Sequence, residues 1–238
     1  SQEKIIESQD LSFVIQKEDF TSLMDKINLG SISLKNVIDF SQGIITGDNK
    51  KYISKTSSDI TKKIITGSNF NRYSLKYDND FIIYDIKKLH RPRKKEIFEV
   101  KEKILLRQTG SYPICALDTD GFYTLDTVHN GLLINNKFDI RFILGLLNSK
   151  LIRFIYEHKV NEVGKTFAQV KIMYIDEIPI KHTNFEKQKY VVDKVNLITE
   201  YSIKLSIEKN KFIKFLQIEY PNLKLTSKLK SSNLIDFK

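Results

Sequence analysis

A single cysteine, Cys115, leaves this chain without an internal disulfide and without the thiolate set that a zinc ribbon needs, which fits a reducing cytoplasm. The four histidines, His90, His129, His158 and His182, show no i, i+4 spacing and have no cysteine partner, so they read as polar surface residues and no metal site is expected. Apolar runs are short. The longest, such as residues 142–147, fall far below the roughly 18 residues of a membrane-spanning helix. No Gly-x-Ser-x-Gly elbow is present for a serine nucleophile, and Gly43 and Gly47 lack both the spacing of a phosphate-binding Walker loop and the Lys-Thr pair that follows one. No repeat of fixed period and no low-complexity tract interrupts the chain.

What is present is positive charge. Thirty-nine Lys and Arg face 29 Asp and Glu across 238 residues, a formal charge of +10, which points to a polyanion as partner. The charge is concentrated in Lys87, Lys88, Arg91, Arg93, Lys94, Lys95, Lys101, Lys103 and Arg107, set against Glu96, Glu99 and Glu102. Guanidinium forks in that stretch suit phosphate oxygens and the O6/N7 edge of guanine. The lysines beyond residue 181 are spread more evenly and read as a solvated face. Apolar residues at 41% and charged residues at 29% are globular proportions, so the chain is expected to fold.

Periodicity divides the chain into three parts. Over residues 9–27 the apolar positions Leu11, Val14, Ile15, Phe20, Leu23, Met24 and Ile27 recur at three- and four-residue intervals, predicting a helical N-terminal segment within residues 1–30. Residues 31–182 carry short β-rich runs at 37–40, 44–45, 51–54, 81–84, 103–107, 114–117 and 122–125. Within them, residues 138–156 have helical spacing with a break at Asn148-Ser149. Residues 183–238 begin with Val191, Val195, Ile198, Ser202, Leu205, Phe212 and Leu216 at steps of three, four or seven, a long helix that Pro221 ends, followed by a Lys- and Ser-rich tail. The expected fold class is α+β: a mixed, β-rich domain with packed helices, followed by a long C-terminal helix.

Four blocks in order carry more than local structure. They are Gln42-Gly-Ile-Ile-Thr-Gly-Asp-Asn-Lys-Lys-Tyr-Ile53; the line from Lys103 to Thr127, with Arg107, Gln108, Thr109 and Gly110 after an apolar run; Leu144-Gly-Leu-Leu-Asn-Ser-Lys-Leu151; and Phe167-Ala-Gln-Val-Lys-Ile-Met-Tyr-Ile-Asp-Glu-Ile-Pro-Ile180. Together they resemble the TaqI-like C-terminal specificity domains, target-recognition modules of type II restriction-modification enzymes that carry an adenine methyltransferase. The likeness runs over residues 38–181. Much of the shared framework, including Leu147, Asn148, Ile178, Pro179 and Ile180, reads as packing and turn-making.

The resemblance implies a target-recognition domain at residues 31–182 that binds double-stranded DNA, with residues 183–238 as a spacer against a methyltransferase domain of the same parent. The chain itself lacks the glycine-rich cofactor loop and the Asn/Asp-Pro-Pro-Tyr/Phe motif of such enzymes, since no two of its four prolines are adjacent. No catalytic residue and no cofactor are therefore expected here, and S-adenosylmethionine belongs to the parent's catalytic domain. The start at Ser1-Gln2-Glu3, without methionine, agrees with a piece of something longer. Lys50, Lys51, Lys94, Lys95, Lys165 and Lys171 are the expected phosphate contacts. Asn71, Arg72, Arg91, Arg93, Arg107 and Gln108 are the expected base readers, the first two from a polar loop that includes Asn69 and Tyr73. The apolar stripe of the last helix calls for a covering surface, which in an isolated fragment would be a second copy. Two rivals stay open: a metal-dependent nuclease built on Glu99-Val-Lys101, and one half of a separate specificity subunit of the type I kind.

Overall fold

A computed structural model describes residues 18–160, 168–222 and 224. The chain opens on helix α1 (Glu18–Asn28), followed by strand β1 (Ser31–Ser33) and strand β2 (Ile38–Gln42). A helical turn, α2 (Asn49–Tyr52), leads into β3 (Ile53–Ser54), β4 (Thr61–Ile65), the small hairpin β5 (Phe70–Asn71) and β6 (Ser74–Leu75), and β7 (Phe81–Ile83). Then come β8 (Lys103–Arg107), β9 (Cys115–Asp118), β10 (Tyr123–Thr124) and β11 (Val128–Leu133). Helices α3 (Ile140–Leu147), α4 (Lys150–Lys159) and α5 (Ile172–Asp176), strand β12 (Pro179–Lys181) and the long α6 (Phe185–Glu219) complete the order.

These elements form three layers. The central sheet runs β2-β11-β8-β9, antiparallel throughout, and a second sheet runs β10-β4-β7-β3. One face of the central sheet, with Ile38, Ile104, Leu106 and Cys115, packs on Ile143, Leu144 and Leu147 of α3 and on Ile152, Ile155 and Tyr156 of α4. Its other face contributes Leu105, Ala116 and Val128 to a smaller cluster with Ile65 of β4 and Phe122. A third cluster around Ile82, Phe98 and Tyr123 fills the far side of the second sheet. Removing this apolar surface from water supplies the main drive for folding. Strand β1 pairs with β12, Ser31 opposite Lys181, so the two ends of the domain are joined before α6 departs.

The break at Asn148-Ser149 falls where the sequence places it. Ser149 Oγ caps α4 by accepting from Ile152 N at 3.1 Å. The buried Asn148 amide spans the unpaired edge of β9, accepting from Cys115 N at 3.0 Å and donating to Cys115 O at 2.9 Å. It does the work of a neighbouring strand. In α3, Gly145 lets α6 approach closely: a Cβ there would lie 2.8 Å from Val195 Cγ2.

Several expectations need correction. Residues 51–54 are not one strand, because Asp48 accepts from Lys51 N and winds Asn49–Tyr52 into a helical turn before β3 begins. Ile44 and Ile45 form isolated bridges, to Leu125 and Arg91, instead of a strand. The fourth block, whose Ile-Pro-Ile ending resembles the family's terminal strand, keeps a strand only at its end, in β12, and winds into the short helix α5 before it. The short β1, β5 and β6 and the longer β4 and β11 fall outside the predicted runs. In β4 the paired lysines hide the pattern, and in β11 Asn130 and Gly131 are poor strand formers. The fold rescues β11 because Asn130 Nδ2 donates to Thr124 Oγ1 at 2.8 Å and Gly131 leaves room for the Phe40 ring. The helix predicted over residues 9–27 is seen from Glu18 onward, and Leu11, Val14, Ile15, Lys165 and the tail beyond Lys224 lie outside the described residues. Among the described residues no helix is long and apolar enough to cross a membrane.

Candidate nucleic-acid interface

Strands β2 and β8 finish, and β11 starts, at one end of the central sheet, and this gathers loops that are far apart in sequence. Arg107 N donates to Ile114 O at 3.0 Å and Gln108 N to Thr127 O at 2.9 Å, which fixes the end of β8. The Gln42 amide donates to Asp126 O at 3.1 Å and to Gln108 Oε1 at 3.4 Å. Thus Gln42 holds the Gln108 carboxamide from the side, and Gln108 Nε2 makes no hydrogen bond with any described residue. Arg107 spends its Nε on Thr109 O at 3.1 Å, and burial draws the group below the ordinary arginine value, with Tyr112 opposing.

The segment from Gly43 to Thr46 crosses this end and carries the basic stretch with it. Ile45 and Arg91 exchange backbone hydrogen bonds at 3.2 and 2.9 Å, and Arg93 Nε donates to Gly43 O at 3.5 Å. The exposed Lys50 and Lys51 follow on α2, whose Tyr52 hydroxyl donates to Lys88 O at 3.0 Å. From the other side, Val170 N donates to Gln108 O at 2.7 Å and Gly110 N to Ala168 O at 2.9 Å, so the segment leading to Lys171 runs beside residues 108–110. Arg72, at the turn between β5 and β6, has its guanidinium 5.3 Å from the Tyr112 ring centre, and Arg153 of α4 lies 3.9 Å from the same ring.

The twelve expected contacts are therefore not equally placed. Arg107, Gln108, Arg91 and Arg93 share the sheet end, and Arg72, with Asn71 next to it, approaches through Tyr112. Lys94 and Lys95 are exposed where a 3-10 turn starts, and Lys95 is near enough to Glu99 to act on its carboxyl. Lys103, counted with the basic stretch, is fully buried in an ion pair and presents nothing to a ligand. In the polar loop, Asn69 is buried and caps the turn at Thr66, while Tyr73 packs on the core, leaving Asn71 and Arg72 as its outward groups.

Sequence reasoning missed Gln42, Tyr112, Arg153 and His129. Gln42 and Tyr112 sat inside quoted blocks without being singled out, and Arg153 and His129 had no local signal. His129 is not a surface residue: it is 8% exposed, and burial followed by the Arg93 charge pushes its pKa down from 6.5 to about 4. The unfolded chain binds this proton near pH 6.5 and the folded chain only near 4, so stability is complete above 6.5 and declines as the pH falls through 4. Urea titrations should register a loss of about 3 kcal/mol from this group by the acid end of that window. His129→Gln should flatten this part of the profile; an unchanged profile would assign the loss elsewhere.

Glu99 of the nuclease rival is already engaged. Its carboxylate accepts from Tyr123 Oη at 2.7 Å and pairs with Lys62 at 3.2 Å, and those two contacts, the tyrosine first, hold it below the usual carboxylate range. Among the described residues no three His, Cys, Asp or Glu side chains are grouped to hold a metal ion.

The sequence pattern of the TaqI-like C-terminal specificity domain matches residues 62–180, half of the chain. The chain belongs to this family. It is a specificity domain of the restriction-modification type, a module for DNA target recognition. No curated protein matches it. Among solved structures, the S subunit of a type I restriction-modification system from M. genitalium is 17% identical, with 80% of this chain and 44% of that chain covered and a TM-score of 0.49. The type IIL restriction-modification enzyme MmeI in complex with DNA is 12% identical over 81% of this chain and 29% of that chain, with a TM-score of 0.49. The HsdS subunit from Thermoanaerobacter tengcongensis is 11% identical over 90% of this chain and 48% of that chain, with a TM-score of 0.44. The specificity domain spans less than half the length of each of these structures.

Proposed function

We propose that this domain is the target-recognition part of an adenine-specific DNA methyltransferase, or of a type II restriction-modification enzyme, acting in the cytoplasm. In this reading it grips one side of the duplex while a catalytic domain, which binds S-adenosylmethionine, takes the target adenine out of the stack. The observation that carries it is the Arg107-Gln108 pair at the sheet end, with the Gln108 amide held from the side by Gln42. A glutamine fixed in this way presents its donors in one orientation, which suits the N6/N7 edge of adenine. Arg91, Arg93 and Asn71 flank that centre as further base readers, and Lys50, Lys51, Lys94, Lys95, Lys165 and Lys171 supply phosphate contacts.

Selection from a random duplex pool, repeated across salt concentrations, tests the reading. Log affinity should fall with log salt by about 0.9 per phosphate contacted, and a short adenine-containing motif should be enriched. Gln108→Ala should weaken discrimination at one base pair by about 1 to 3 kcal/mol, roughly 5- to 150-fold, with little change in the salt slope. A pool that emerges without any preferred motif would sink the proposal.

A second reading, one half of a specificity subunit acting in trans, is favoured by α6. Beyond Val195 the helix leaves the domain, with Leu205 57%, Phe215 55% and Ile218 74% exposed. In either reading this half of the helix is a docking rib, for the methyltransferase partner or for a second copy of the chain.

A further inference from the structure

The group around Tyr112 has a geometry that base reading does not use. Arg72 and Arg153 come from separate elements, a hairpin turn and a helix, yet both guanidiniums stack on one phenol ring, at 5.3 and 3.9 Å from its centre. Two like charges on one ring repel each other, and among the described residues the single carboxylate paired with either is Glu157, which takes Arg153 Nε at 2.8 Å. That bond leaves both terminal nitrogens of Arg153 open. Arg72 makes no hydrogen bond or ion pair with any described residue, and neither does the Tyr112 hydroxyl.

The scaffold beneath them is rigid. Tyr73, next to Arg72, is held at a φ of 64°, a left-handed conformation that a bulky residue rarely adopts, and its N donates to Cys115 O at 3.0 Å. The Asn148 amide grips the same Cys115 by N and O, just ahead of the helix that carries Arg153. Arg72 and Arg153 are thus positioned against one residue of β9, and Tyr112 sits in the loop between β8 and β9. Two planar forks held on one aromatic face, with their outer edges free, can share the several oxygens of one phosphate.

We propose that Arg72, Tyr112 and Arg153 form a phosphate clamp that takes a backbone phosphate of the DNA strand whose bases reach Arg107 and Gln108. The inference rests on the DNA-recognition reading above. It moves Arg72 from base reader to phosphate contact and adds Arg153, which the sequence did not single out. The clamp fixes register along the duplex and carries no base preference of its own.

Fluorescence anisotropy with a labelled duplex across a salt series tests it, using the wild-type chain, Arg72→Gln, Arg153→Gln and Arg153→Lys. Each glutamine variant should reduce the slope of log affinity against log salt by about one at most, because one phosphate contact accounts for about 0.9. Affinity should fall to a similar degree on every sequence, with the preferred motif unchanged. Arg153→Lys should keep most of the slope, since it keeps the charge, and this also separates charge loss from misfolding. If the wild type binds duplex and both glutamine variants match its slope and affinity, the clamp is wrong while the recognition reading stands. If the variants change motif preference instead, the two arginines read bases and the clamp is also wrong. If the wild type binds no duplex, the recognition reading fails; thermal melts in inorganic phosphate against chloride of equal ionic strength then decide. A phosphate-specific rise that Arg153→Gln abolishes would preserve an anion site of another source, and its absence would overturn the site itself.

Discussion

Gly43→Ala should lower the stability of the domain by about 3 kcal/mol or more, a drop in melting temperature of roughly 6 to 12 °C for a chain of this size. Gly43 is where the chain leaving β2 crosses over the segment between β10 and β11. A Cβ there would lie 2.2 Å from Leu125 O and 2.6 Å from Thr124 O. Both are backbone atoms, so no rotamer change relieves the contact. Separating the two segments stretches Gly43 N to Val128 O, Ile44 N to Thr124 O and Asp126 N to Ile44 O, all now between 2.8 and 3.0 Å. The same shift carries away Gly43 O, the acceptor of Arg93 Nε, and disturbs Gln42 next to it. Duplex binding should therefore weaken along with stability. A melt indistinguishable from wild type would mean that the crossing is looser than it looks.

Lys103→Met should cost a further large amount, about 3 to 5 kcal/mol, because it strips the partner from a fully buried carboxylate. Lys103 Nζ lies 2.5 Å from Asp118 Oδ2, both side chains are at 0% exposure, and the ammonium also donates to Phe98 O at 2.8 Å. Burial pulls the lysine below its ordinary value, and Asp118 opposes that pull. Asp118 in turn accepts from Asp120 N at 2.8 Å and Phe122 N at 2.9 Å, which shapes the turn from β9 into β10. The pair therefore ties the end of the basic stretch to the junction of the two sheets. Chemical denaturation should show the midpoint falling with the dependence on denaturant nearly unchanged. A loss under about 1 kcal/mol would indicate that water or another donor reaches Asp118 in the variant.

Particular residues show where the sequence was readable. Helices α3 and α4 were legible because their apolar residues keep one period over two turns or more, and Ser149 is a capping residue at the place where that period breaks. The long α6 was legible for the same reason, since no glycine or proline interrupts it. Strand β11 was not, because its stability comes from what surrounds it: Asn130 finds partners in Thr124 and Ser41, and Gly131 makes room for Phe40. Lys103 misled for a related reason. Its charge reads as surface until the tertiary structure sets Asp118 against it.

Composition, periodicity and short motifs were enough to establish a basic, mixed α+β domain with a long terminal helix, and a strand that ends at Arg107-Gln108. Charge, period and short motifs are local properties, and each survives in isolation. Which basic residues share a surface was settled by the packing of the folded chain. It buried Lys103, paired Glu99 with Lys62, braced Gln108 with Gln42, and brought Arg72 and Arg153 onto one tyrosine. Such meetings are fixed by how strands cross and by which backbone groups a side chain must satisfy, and those constraints join residues that no spacing along the chain connects.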